Sequence, residues 1–184
     1  FLATLGMMLI ARGLALQVTG ARAISGLGES FGELGNGVLW RIERDTGGTF
    51  PEVVFPGIPY PVVLMVVIAV AVSIMLSRTT FGRHIYAVGS NAEAARLSGV
   101  KVGRVTLLVY TLSGALSGLT GCVLMSRLVT AQPNEGVMYE LDAIASAVIG
   151  GASLIGGIGT ISGTVIGSFV IGILRNGLNM NGVS

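Results

Sequence analysis

The residues able to do covalent chemistry in this chain are few and stand apart. There is one histidine, His84, one cysteine, Cys122, and a single lysine, Lys101. A His-Glu-x-x-His zinc site needs two histidines, and a serine nucleophile needs a histidine oriented by an acid. His84 lies between Arg83 and Ile85 in a basic stretch and reads as a surface residue. A phosphate-gripping loop follows the pattern GxxxxGK[ST], whereas Lys101 is flanked by Val100 and Val102. No cofactor is expected on this chain. If ATP and Mg drive its work, a separate polypeptide hydrolyses the nucleotide. Cys122 has no partner for a disulfide within the chain, and in its apolar run it is expected to be a small buried hydrophobe.

What is concentrated is charge. Residues 78–104 hold Arg78, Arg83, Arg96, Lys101 and Arg104 against Glu93 alone. Residues 19–57 hold Arg22, Arg41 and Arg44 against five acids, and residues 127–142 hold Arg127 against Glu135, Glu140 and Asp142. An excess of Lys and Arg marks the cytoplasmic side of a membrane protein. Residues 78–104 are therefore expected to form a cytoplasmic loop, and residues 19–57 and 127–142 to lie outside. The net charge of +2 leaves no electrostatic footprint for nucleic acid.

The elements that must carry these loops are apolar. Hydrophobic residues make up 52% of the 184, charged ones 11%, and the mean hydropathy is +0.81. A soluble domain carries about 25% charged residues, so much of this surface must face lipid. The expected fold class is all-α and integral to the membrane: one polytopic helical domain over residues 1–184 with five apolar segments. These are Phe1 to Val18, Ile58 to Ser77, Val105 to Ser126, Ala143 to Leu154, and Thr160 to Leu174, bounded by Arg175. The second and third are uncharged over about 20 residues, enough to cross a core about 30 Å thick. The fourth is too short to cross alone and reads as tilted, broken or re-entrant. Residues 1–16 before Ala21-Arg22-Ala23 imitate a signal peptide. No basic stretch precedes them, however, and Arg12 interrupts them, so the expectation is a membrane helix in a fragment truncated at both ends.

Gly159, Gly163 and Gly167 recur every fourth residue, and Gly114 with Gly118 repeat that spacing. Small residues so placed let helices pack closely, either statically or as a movable bundle around a path. The four later segments hold no acid–base pair of the kind that ion-coupled pumps bury. Arg12 either snorkels outward or lines a path. Trp40 sits at the membrane interface or stacks on substrate. Ser113, Ser146, Thr164, Ser168 and Asn176 are polar enough to line a path, and each can equally bond its own helix.

The basic loop carries the most local order. Ser90 with Glu93 fits a capping box, Ala92, Ala94, Ala95, Arg96 and Leu97 favour helix, and Gly99 can close it. The prediction is a short helix on the inner surface displaying Arg96 and Leu97, held by packing against a partner or, as a plain basic loop, by anionic lipid.

GRHIYAVGSNAEAARLSGVKV, residues 82–102, resembles the cytoplasmic coupling segment of the ATP-binding-cassette (ABC) permeases that import ribose, xylose, arabinose and galactosides, a family sharing its superfamily with branched-chain amino-acid permeases. Residues 131–184 resemble that family's C-terminal region through Tyr139-Glu140-Leu141-Asp142-Ala143-Ile144-Ala145 and the pairs Gly150-Gly151 and Gly156-Gly157. Thr4-Leu5-Gly6-Met7-Met8 and Arg12-Gly13 fit as well, while residues 25–57 look longer or different. The resemblance implies a permease subunit in the bacterial inner membrane, paired with a second copy. It implies an ABC ATPase subunit bound inside and a periplasmic sugar-binding protein meeting the outer loops. It makes this chain roughly helices five to nine of about ten in such a subunit, without the N-terminal half or the last helix. Arg83, Asn91, Ala94, Ala95, Arg96, Leu97, Ser98, Gly99 and Lys101 would form the coupling element. Against this stand a branched-chain amino-acid or nucleoside permease of the same architecture, an ion-coupled secondary transporter or channel, and, last, an intramembrane enzyme.

Overall fold

The computed structural model describes residues 2–40, 42–44, 52–55 and 57–182. Phe1, Arg41, residues 45–51, Pro56 and residues 183–184 lie outside the described residues. The helices are α1 Leu2–Thr19, α2 Glu29–Asn36, α3 Tyr60–Arg78, α4 Thr80–Ser90, α5 Ala92–Leu97, α6 Val102–Leu128, α7 Tyr139–Ile149 and α8 Ile161–Met180. The strands are short: β1 Ile24–Ser25, β2 Val38–Leu39, β3 Ile42–Arg44, β4 Glu52–Phe55, β5 Ile58–Pro59 and β6 Thr130–Ala131. They pair antiparallel as β1–β6, β2–β5 and β3–β4. The chain is an all-α integral membrane protein in architecture, with these ribbons as its loop structure.

Three helices, α3, α6 and α8, are long and apolar enough to cross a membrane, and α1 contributes a shorter apolar helix. The α7 helix has 11 residues; at 1.5 Å each it is about 16 Å long, roughly half a bilayer core. It ends at Gly150, and Gly151 takes φ +87. The fourth segment is thus a half-length helix followed by a turn, as its length required.

The helices also run further than their apolar cores. Arg175, placed at the boundary of the fifth segment by its charge, lies inside α8, and Asp142 lies inside α7 rather than in the loop before it. A helix continues while its backbone hydrogen bonds continue, whatever the charge of a side chain near its end.

Few side chains are buried. Among the described residues, Ala95 and Val105 are the buried hydrophobic ones and Ser126 and Ser146 the buried polar ones, while Val62, Val66, Val67, Val70 and Ile74 of α3 are exposed. This inverts a water-soluble fold and matches helices whose flanks meet lipid or other protein. Cys122 is exposed, against the expectation of burial, because this chain covers little of α6 around it. For the same reason a methyl group at Gly114 or Gly118 would meet nothing within 4 Å. The small-residue stripe of α6 does not pack within this chain.

The chain forms two compact units, residues 1–64 with 116–135, and 65–115 with 136–184. In the first, the two predicted outer loops are joined: Ile24 pairs with Ala131, and Asn36 Nδ2 donates to the Ser126 and Arg127 carbonyls at 3.2 Å. Ser126 Oγ donates to the Phe31 carbonyl. The expected site residues fall mainly in the second unit.

Candidate functional site

The site begins where α3 turns into α4. Thr79 Oγ1 accepts the Gly82 N–H at 3.2 Å as the N-cap of α4. It also donates to the Met75 carbonyl at 2.6 Å. A methyl group at Gly82 would overlap the Leu76 carbonyl, so only glycine allows so sharp a return. Two glycines and the β-branched residues dilute helix propensity over 80–90, so packing decides that α4 forms there.

The next helix, α5, is capped differently from the expectation. Ser90 is the last residue of α4, and the cap is Asn91, whose Oδ1 accepts the Glu93 and Ala94 N–H groups at 3.0 Å. The predicted Ser90–Glu93 capping box is not formed. Asn91 is equally good at this position and, unlike Ser90, has the extended backbone, φ −155, ψ 101, that a cap requires. At the other end Gly99 takes φ +84, its N–H bonding the Arg96 carbonyl and the Val100 N–H the Ala95 carbonyl, each at 3.0 Å. These two bonds make a Schellman closure, which a β-carbon at Gly99 would strain.

Six residues alone are too few for a stable helix, so α5 depends on its caps and on Ala95, which is 5% exposed. Ala95 is therefore a packing contact and not part of the displayed surface. Leu97 is 83% exposed, and Arg96, Ser98 and Lys101 are exposed as well. Arg96, Lys101 and Arg104, with Glu93, line an open groove of about 650 Å³ beside the start of α6. Arg83 is exposed on α4.

From α4 the structure continues into the α7–α8 hairpin. Tyr86 Oη donates to the Gly159 carbonyl at 2.7 Å. A methyl group on Gly89 would come within 2.7 Å of Gly157 N, and one on Gly157 within 2.9 Å of Ser90 Cα. Backbone meets backbone here, with no side chain between. The hairpin itself closes the same way: methyl groups at Gly150 and Gly163 would each overlap the other's backbone, and one at Gly167 would overlap the Ser146 carbonyl. Of the expected packing stripe, Gly163 and Gly167 belong to α8. Gly159 precedes the helix and serves as acceptor for Tyr86.

Further along the hairpin Arg175 Nη1 donates to Asp142 Oδ2 in an ion pair, with Arg175 Cζ 5.6 Å from the Tyr139 ring centroid. Both residues lie just outside the fourth and fifth apolar segments, 143–154 and 160–174, and the pair joins the ends of those segments. The two residues are 33 apart in sequence, and only the antiparallel register of α7 on α8 brings them together.

The family model for the permease component of branched-chain amino acid transport systems matches residues 1–184. The chain belongs to that family. Members similar to it include the ribose import permease protein RbsC of Bacillus subtilis, 47% identical over all of this chain and 53% of the relative's length. The RbsC protein of Escherichia coli K12 is 44% identical over all of this chain and 54% of its own length. The xylose transport system permease protein XylH of Escherichia coli K12 is 46% identical over 68% of this chain and 32% of its own. The chain spans about half the length of the curated RbsC relatives it matches. No solved structure matches it.

Within this permease-family chain the candidate path residues separate. Ser146 is 6% exposed and donates to the Asp142 carbonyl at 2.7 Å, which places it in the α7–α8 packing and not on an open wall. Thr164 and Ser168 donate to their own helix, at the Thr160 and Val165 carbonyls. Ser113 and Asn176 are exposed. Trp40 is 76% exposed and has φ +54.

Proposed function

We propose that this chain is the part of an ABC importer permease that carries the cytoplasmic coupling element, and that the complete subunit moves a monosaccharide across the bacterial inner membrane. A separate ATPase subunit hydrolyses ATP, a periplasmic binding protein delivers the sugar to the outer loops, and two permease copies work together. Family membership and the names of the ribose and xylose relatives support the substrate class. The observation that carries the mechanism is the backbone contact of Gly89 and Ser90 with Gly157. α5 is capped at both ends, presents Arg96 and Leu97 outward, and is continuous with α4 through Asn91. A push on α5 reaches the α7–α8 hairpin with no flexible side chain to absorb it, since close-packed backbones shift together and not one by one.

The test is the double substitution Arg96→Glu with Gly99→Pro in the full-length permease. ATPase co-purification is expected to disappear and ATP-driven uptake in proteoliposomes to fall at least about tenfold, as for loss of a central interface anchor. Docking and uptake left intact would overturn the coupling assignment.

A second reading follows from the family's description, which names branched-chain amino acids. Titrating ribose, xylose and leucine against the cognate binding protein separates the two. The Asp142–Arg175 pair gives ion coupling a structural foothold; uptake that survives ATP depletion but collapses with the ion gradient would select it.

A further inference from the structure

The Asp142–Arg175 pair is placed where a purely structural pair is costly. Arg175 is the fifteenth of the 20 residues of α8, about 21 Å along the helix from its start. Charged groups within membrane helices face a water-filled cavity or protein, because lipid cannot solvate them. Within this chain one guanidinium nitrogen bonds one carboxylate oxygen. Among the described residues no hydrogen bond reaches Asp142 Oδ1, Arg175 Nη2 or Arg175 Nε, and the two side chains are 40% and 52% exposed. Tyr139, 40% exposed, holds its ring beside the guanidinium.

We propose that Tyr139, Asp142 and Arg175 form a hydroxyl-reading subsite for the transported monosaccharide; the inference rests on the monosaccharide reading above. The chemistry fits a neutral polyol. The remaining carboxylate oxygen accepts sugar O–H groups, the remaining guanidinium N–H groups donate to hydroxyl or ring oxygens, and the aromatic face takes the C–H side of the ring. Because the pair has no net charge, it neither attracts nor repels an ion strongly at a distance, and the sugar hydroxyls replace the water that a bound ligand displaces from it. Hydrogen bonds to charged groups are individually strong yet exchange quickly with water, which is what a passing ligand needs.

The experiment uses the full-length permease with its ATPase and binding protein in proteoliposomes, comparing uptake of D-ribose and 2-deoxy-D-ribose. The variants are Asp142→Asn, Arg175→Gln and the exchange Asp142→Arg with Arg175→Asp. Asp142→Asn and Arg175→Gln are each expected to lower ribose uptake about tenfold and to shrink the preference for ribose over its deoxy analogue. The exchange variant restores the thermal midpoint but not that preference. Full recovery of ribose uptake and preference in the exchange variant would make the pair a strut and overturn the inference, as would equal losses for both sugars. Should Arg175→Gln fail to insert, Asp142→Asn, nearly identical in shape, decides alone. If the unmutated transporter took up no monosaccharide at all, the substrate reading would fall instead.

Discussion

The two compact units both use close glycine contacts but differ in how many there are and in what accompanies them. In the first, Gly35 lies against the Ser126–Arg127 backbone, and polar side chains flank that contact: Ser126, fully buried, reaches Phe31, and Asn36 reaches back to Ser126 and Arg127. In the second, backbone lies on backbone at Gly89–Gly157, Gly150–Gly163 and Ser146–Gly167. A side-chain hydrogen bond in the first can be replaced by water at an outer loop for a modest cost. A glycine contact has no soft degree of freedom, so a change on one side displaces the other. The first unit backs its contact at Gly35 with side-chain hydrogen bonds, whereas the second has three such contacts between α4, α7 and α8 and the turn before α8.

Three substitutions in the full-length permease probe that difference. Gly163→Val is expected to be the most damaging, because its side chain must displace the Gly150 backbone. Overpacking of this kind costs about 3 kcal/mol, read as a lower thermal midpoint in detergent together with loss of uptake. Ser126→Ala leaves the Phe31 carbonyl without its partner and is expected to cost about 1–2 kcal/mol, with ATPase coupling unchanged. If Ser126→Ala cost more than Gly163→Val, the ranking of a close glycine contact above a side-chain hydrogen bond would be wrong. Asn91→Ala removes the cap of α5 and costs about 1 kcal/mol. Global stability should barely move, hydrogen exchange over residues 92–97 should quicken, and Asn91→Asp should restore protection.

The apolar spans could be read directly. α3 is found at Tyr60–Arg78 against an expected Ile58–Ser77, since an uncharged stretch of that length has few alternatives. Gly99 as the closing residue of α5 was likewise legible, because a glycine after an alanine-rich run has a well-defined use. The cap was misplaced by one residue, Ser90 for Asn91, because both side chains can accept and sequence carries no backbone angle. The strands of the outer loops, two to four residues each, are too short to leave any alternation in the sequence.

By itself the sequence determined that the chain enters a membrane, which loops carry basic and which acidic charge, and that an ordered short helix sits in the basic one. These depend on composition and local spacing, which act over a turn or two of chain. Only the tertiary structure decided that Gly89 meets Gly157, that Gly150 meets Gly163 and that Asp142 pairs with Arg175. Those contacts depend on the register of one helix against another, and a glycine or a charge looks the same in sequence whichever neighbour it will have.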